Sequence, residues 1–334
     1  MGRALVHTFL FSVVLAGITV VLATAVFAWR LSELVFLAID PPLIPFLGTG
    51  LSVLLAMDAT YFFLVLPALV GILLVLAKIG QRKHPAPPPP APFEWVGRPA
   101  AVVLTAYDDE LAIGEAVKEF RSLPQVSEII VVDNNSSDRT AEVARKNGAT
   151  VYAETRQGYG FACMGGLQYA LEHTQEEIIV LAEGDMTFFA QDLEKMLPYL
   201  AECDMVLGTR TTRTLTLEGS QMDWFMAWGN VFLAFLIRLR YWDNTFLGRT
   251  RLTDVGCTFR VIRREALARI LDGLTVGGHY FSPHMILVAL RRNLTVIEVP
   301  IRFRKRMGLS KGAGGSRARA ARIGLEMVRE IGLH

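Results

Sequence analysis

Charge is scarce in this 334-residue chain: 20% of its residues are Asp, Glu, Lys or Arg, against 52% hydrophobic. Disordered chains show the reverse balance and are excluded, and a mean hydropathy of +0.36 argues against a wholly water-soluble protein. Cysteine is scarcer still. Cys163, Cys203 and Cys257 lie far apart with no CxxC or Cys/His spacing, which excludes a disulfide framework and structural zinc and fits a reducing compartment. No GxGxxG follows the first apolar strand of the chain's second part, and GxxxxGK[ST] is absent. A nicotinamide enzyme or P-loop nucleotidase would therefore lack its phosphate cradle.

Long apolar runs are present. Residues 4–28 contain no Asp, Glu, Lys or Arg, which at ~1.5 Å of helix rise per residue exceeds a ~30 Å hydrocarbon core. The run is too long for a signal peptide's apolar region of about 7 to 15 residues. A second run, about 59–78, also reads as a transmembrane helix, so residues 1–84 are expected to form a membrane anchor. Between the two runs, residues 29–58 mix prolines with Glu33 and Asp40 and read as interfacial or re-entrant, with a broken third span as the alternative. Lys78, Arg82 and Lys83 follow the second run while the connection offers only Arg30, which places both termini in the cytoplasm. Residues 85–98 form a Pro-rich linker, stiff and extended.

From Pro99 short apolar strands alternate with amphipathic helical stretches, the α/β pattern of a mostly parallel, Rossmann-like sheet. Strands are expected at 100–106, 128–133, 150–153, 178–182 and 205–207, and helices at 110–123, 138–147 and 160–173. Ligands of such sheets bind beyond the carboxyl ends of the strands. Three of those ends carry acids: Asp108, Asp109 and Glu110; Asp133 and Asp138; Glu183 and Asp185. Helix capping accounts for single acids at such places, and less well for three converging tips. Glu183 and Asp185, two apart around a glycine, can offer oxygens to a divalent cation that keeps positions open for phosphate. Gly158 and Gly160 before a helix allow close backbone approach to a ligand, or a plain tight turn.

Formal net charge is +2, but residues 302–334 hold nine Lys and Arg against Glu326 and Glu330, so the rest of the chain is net negative. Such a tail suits anionic lipid or phosphate; without interleaved aromatics it does not suggest nucleic acid. Residues 224–237 are apolar almost all round and too short to span. They either lie in the membrane interface or pack as a core helix.

The stretches VVLTAYDDE, EIIVVDNNSSDRT, ETRQGYGFACMGGLQYA, IIVLAEGDMTF, TDVGCTFRVIRREAL and VIEVPIRFRKRMGLSKGAGGS occur in this order. Together, from about Ala100 to Ser316, they resemble the family-2 glycosyltransferases of GT-A fold, especially the dolichol-phosphate mannose synthase-like branch that glycosylates polyprenyl phosphates. The resemblance implies a nucleotide-sugar-binding half at 99–212, with Thr105, Tyr107, Asp109, Asp133, Arg156, Gly158 and Glu183 around the donor. It implies an acceptor-binding half at 213–334, including the basic tail. Glu183, Asp185 and Thr187 stand where the family holds Mg²⁺ or Mn²⁺, with Glu in place of the usual first acid and Thr in place of a Gln. Arg210, Arg304, Arg306, Ser310 and Lys311 match positions used for lipid phosphate, and Asp185, Asp254 and Arg306 are implied as catalytic. Asp254 either orients the site or serves as a base for a hydroxyl acceptor. The implied enzyme is an inverting glycosyltransferase in the membrane with a cytoplasmic catalytic domain. The rivals are transfer to another lipid or polysaccharide hydroxyl, and a silent scaffold or nucleotide sensor. A homo-oligomer is compatible with the sequence.

Overall fold

A computed structural model describes residues 95–220, 222–241, 251–308 and 317–333. The expected membrane helices and most of the Pro-rich linker lie outside these residues, as do Ser310 and Lys311. Among the described residues, no helix is long and apolar enough to cross a membrane.

The core is a seven-stranded sheet in the order β3-β2-β1-β4-β6-β5-β7. β1 (Ala100–Ala106), β2 (Val126–Asp133), β3 (Thr150–Ala153) and β4 (Ile178–Glu183) run parallel. β6 (Arg260–Arg263) is antiparallel between β4 and β5 (Met205–Thr209), and β7 (Val296–Pro300) pairs parallel with β5. All seven residues of β1 are buried, as a central strand covered on both faces requires. Alternation then divides its side chains between two layers. Val102 and Leu104 pack with Ile113, Val117 and Phe120, the apolar face of α1 (Ile113–Arg121). Ala101 and Val103 face Leu167 of α3 (Tyr159–His173) and, further along that layer, the wholly buried stretch Phe281–Leu290 of α6 (Phe281–Arg291). The other α-helices of seven or more residues among those described are α2 (Thr140–Lys146), α4 (Trp224–Arg240), α5 (Arg264–Ile270) and α7 (Arg317–Leu333).

Register positions the site. Thr105 pairs with Glu183 on one side of β1, and Ala106 pairs with Asp133 on the other, so three acid-bearing strand tips end side by side. The expected strand over 205–207 runs on to Thr209, which carries Arg210 to the same edge. α4 is neither a span nor a core helix. Asn230, Leu233, Ala234 and Ile237 are buried, while Trp224, Trp228, Phe232 and Phe235 are exposed, Trp228 by 70%. Its N-terminus is capped by Asp223, whose Oδ1 accepts from Met226 N at 2.9 Å.

Candidate active site

The strand tips open into one cavity of about 750 Å³. Thr105, Tyr107, Asp109, Gly158, Glu183, Asp185, Thr187, Arg210 and Arg306 all line it. Met222, Phe225, Phe232 and Leu233, in and just before α4, with Ile323 and Met327 of α7, continue the cavity as an apolar annex.

Asp185 is 1% exposed and sits at a tight turn, with Met186 in the left-handed region at φ 66°. Its Oδ1 accepts from Thr187 N at 3.0 Å and Thr187 Oγ1 at 2.6 Å, so the threonine hydroxyl first of all orients the carboxylate. Its Oδ2 is buried and accepts no hydrogen bond; the nearest cation is Arg306 Nη1, at 3.1 Å. The other edge of that guanidinium donates to Asp109 Oδ1 at 2.8 Å. Glu183 accepts from Thr258 Oγ1 at 3.0 Å, and burial, followed by the neighbouring Asp185 charge, pushes its carboxyl up to about 8. Two buried acids, one with an oxygen that accepts no hydrogen bond yet lies beside a guanidinium, make a pair that attracts positive charge. Among the described residues no group of three or more His, Cys, Asp or Glu converges as a metal site. Mg²⁺ at phosphate sites is commonly held by one or two carboxylates, with phosphate and water completing its shell.

Gly158, at φ 147°, and Gly160 are required by close approach. A Cβ would lie 2.4 Å from Gly277 O on the first and 2.0 Å from Val276 O on the second. Gly160 N donates to Gly277 O at 2.9 Å, which brings the first turn of α3 against the 276–277 backbone at the cavity wall.

Asn134 is a residue the sequence reading missed. It is 3% exposed, donates through Nδ2 to Glu154 O and Arg156 O at 3.0 and 2.8 Å, and accepts from Gly158 N at 2.9 Å. It thus ties the tip of β2 to the loop before α3. Its place immediately after a strand-end Asp was the available signal. Asp133 and Arg156 are not among the residues that line the cavity, and the Arg156 side chain is 55% exposed. Arg156 donates through Nε and Nη2 to the buried Glu154 at 3.0 and 2.8 Å, and these bonds hold the Glu154 carboxyl below its ordinary range. Its guanidinium stacks over Phe161.

The basic cluster divides. Arg304 is committed to the framework: its guanidinium donates to Glu119 and to the carbonyls of Met186 and Phe188, and it stacks on Phe189. Arg210 lines the cavity with Nε and Nη2 donating to Asp254 at 2.8 and 2.9 Å. Asp254 is fully buried behind it and also accepts from the backbone N of Arg210 and Gly256 at 3.0 and 3.1 Å. Burial alone would raise this carboxyl, but the Arg210 charge and these bonds hold it below its ordinary value. Both oxygens of Asp254 are thus engaged, by the Arg210 guanidinium and by backbone N–H groups.

The model of glycosyl transferase family 2 matches residues 101–271, half of the chain. The chain belongs to this family. Among its relatives, a dolichyl-phosphate hexose transferase of Haloferax volcanii is 30% identical over 233 residues, which cover 69% of this chain and 92% of that protein. A polyprenol monophosphomannose synthase of Mycolicibacterium smegmatis is 25% identical over 250 residues, 71% and 89% of the two chains. A low-salt glycan biosynthesis hexosyltransferase of Haloferax volcanii is 28% identical, and the match spans 62% of this chain but only 48% of that longer protein. In fold, the chain resembles glucosyl-3-phosphoglycerate synthase from Mycobacterium tuberculosis, solved with Mn²⁺, UDP and phosphoglyceric acid. The TM-score is 0.53 at 18% identity, over 74% of this chain and 86% of that one. The sheet is thus GT-A-like, and the protein is a glycosyltransferase.

Proposed function

We propose that this glycosyltransferase moves a sugar from a nucleotide sugar to a polyprenyl phosphate, with Mg²⁺ or Mn²⁺, at the cytoplasmic face of a membrane. One observation carries the reading: a single cavity joins a cleft of paired acids and arginines to an apolar annex built by α4 and α7. A donor diphosphate suits the first part, and an acceptor with an anionic head and a hydrocarbon tail suits the junction.

Glu183 and Asp185 fit a divalent cation, because Asp185 presents a buried oxygen that accepts no hydrogen bond and a guanidinium is already drawn to it. Such a cation, when bound, supplies charge compensation to the departing nucleoside diphosphate. Thr187 keeps Asp185 in the rotamer that offers Oδ2 to the cavity. Thr105, Tyr107, Asp109 and Gly158 line the donor side, with Asp133 at the neighbouring tip of β2 and Arg156 bound to Glu154 in the loop before α3. Arg210 and Arg306 provide cations to hold an acceptor phosphate against the donor's negative charge; the implied Ser310 and Lys311 lie beyond the described residues.

A phosphate acceptor is largely dianionic at pH 7 and needs no general base, whereas a hydroxyl does. The bidentate lock on Asp254 favours the phosphate, and direct attack inverts the anomeric carbon. The exposed Trp224, Trp228 and Phe235 of α4 suit the interfacial layer of a bilayer on whichever side the domain lies, and the cytoplasmic side is the one the sequence leads us to expect.

The test is transfer of radiolabelled sugar from a panel of nucleotide sugars to polyprenyl phosphate, with wild-type protein, Asp185→Ala and excess chelator. Transfer by the wild type and loss in the other two arms is expected. Undiminished transfer by Asp185→Ala, or in chelator, would overturn the metal assignment.

A further inference from the structure

Glu298, the third residue of β7, has no cation partner among the described ion pairs, yet both its oxygens are engaged. Oε2 accepts from Thr253 N at 2.7 Å and Thr253 Oγ1 at 2.8 Å, and Oε1 accepts from Asp254 N at 2.9 Å. A β-strand residue thereby fixes the backbone of the two-residue step that carries Asp254. Asp254 in turn holds the Arg210 side chain at two nitrogens and its backbone N at a third. The hydroxyl of Thr253 also lies 2.9 Å from both Thr209 Oγ1 and Thr211 Oγ1, the residues that flank Arg210. Arg210 is therefore held through its guanidinium and through its neighbours, all by one short step of chain.

Two of the five guanidinium donors of Arg210 are used on Asp254, and the others belong to a side chain that lines the cavity over Phe303. A fork fixed along one edge presents its remaining donors in a set direction, which a long, flexible side chain otherwise loses on binding. An apolar residue at 298 would suit a strand as well, but it would leave two backbone N–H groups without an acceptor and the 253–254 step without a tether.

We propose that Glu298 is a positioning residue for the acceptor phosphate, acting through Thr253 and Asp254 on Arg210. The proposal rests on the reading of Arg210 as a phosphate contact.

The experiment measures binding of geranylgeranyl phosphate to full-length protein in neutral detergent by titration calorimetry. Wild type, Glu298→Gln, Arg210→Met and the double variant are compared. Mn²⁺ with UDP or GDP, whichever the protein binds, serves as an internal control for the donor side. Each single variant should weaken lipid-phosphate binding at least ~10-fold, and the double variant should bind as weakly as Arg210→Met alone, the non-additivity expected of residues acting as a unit. Donor-side binding should stay within about twofold in all, since only the acceptor contact is moved. Thr253→Val, which removes one donor to Glu298 together with the hydroxyl contacts to Thr209 and Thr211, should weaken lipid-phosphate binding in the same direction; Glu298→Asp, which keeps the charge but shortens the reach, replaces Glu298→Gln in the cycle if that variant does not fold. Additive losses, or donor-side binding that falls in parallel, would overturn the proposal in favour of a general structural role. Arg210→Met with weakened binding beside unchanged Glu298→Gln and Thr253→Val would sink the relay alone. Unchanged binding by Arg210→Met would sink the reading of Arg210 on which the relay rests.

Discussion

Arg306 is held between Asp109 and Asp185, one guanidinium edge on each, and so links the tip of β1 to the turn after β4. The second contact is with the very oxygen, Asp185 Oδ2, that accepts no hydrogen bond. Burial alone would ease the proton off Arg306, but Asp185 and Asp109, with Glu183 nearby, outweigh it and strengthen its hold.

A divalent cation that takes Asp185 Oδ2 must therefore compete with this guanidinium. Arg306→Met should bind Mn²⁺ more tightly than wild type in the absence of nucleotide, by at least ~5-fold or about 1 kcal/mol. Electron paramagnetic resonance of free Mn²⁺ reads this directly. Arg210→Met, which removes the same charge from the same cavity without touching Asp185, should change Mn²⁺ affinity less.

Much of this architecture was legible because its signals are local. Strands at 100–106 and 150–153 lie where the apolar runs put them, and those beginning near 128 and 178 differ by two residues or fewer at either end. The acids at the strand tips could be read for the same reason, since a strand end is a position in sequence. What could not be read depends on distant pairing. The antiparallel β6 is four residues long and takes its direction from neighbours 79 to 85 positions away in register with β4. The partners of Arg210 and Arg304 lie 44 and 116 to 185 positions away, so two similar arginines could not be told apart as cavity-lining and framework cations. The glycines at the start of α3 were legible as glycines, but the backbone they admit, at 276–277, was not.

That backbone contact gives a stability prediction. In Gly160→Ala the new methyl would meet Val276 O, and two backbones, rather than a flexible side chain, would have to move. The expected loss is about 1–3 kcal/mol or more, seen as a lower midpoint in chemical denaturation, with weakened donor binding because the first turn of α3 forms the cavity wall. A variant with wild-type midpoint and donor affinity would contradict this packing.

Glu298 also makes stability depend on pH. Burial, only partly offset by the hydrogen bonds from Asp254 and Thr253, pushes its carboxyl up from 4.5 to about 7. The folded state thus keeps a proton that the unfolded chain releases. This group's contribution is full below about 4.5 and is lost as pH rises through about 7. Melting curves from pH 5 to 8 should show wild type losing stability relative to Glu298→Gln as pH increases. A constant difference would place the Glu298 proton elsewhere.

The exposed face of α4 predicts a dependence on the lipid surface. Replacing Trp224 and Trp228 together by Glu should reduce turnover of a long-chain polyprenyl phosphate in liposomes by at least ~5-fold, because interfacial aromatics would be lost from the bilayer contact. Turnover of a short, water-soluble analogue should persist. Equal loss on both substrates would mean that the stripe supports the fold instead.

The most direct test of the proposed function compares two acceptors that differ only in one group. Full-length protein in neutral detergent is given its preferred nucleotide sugar with either a polyprenyl phosphate or the same polyprenol without phosphate, and product is measured by thin-layer radiochromatography. Transfer to the phosphate with little or none to the alcohol is the expected result, since Arg210 and Arg306 line the cavity while Asp254, the base expected for a hydroxyl acceptor, is held at both oxygens by Arg210. Transfer to the alcohol as fast as to the phosphate would contradict the lipid-phosphate reading and assign the enzyme a hydroxyl acceptor.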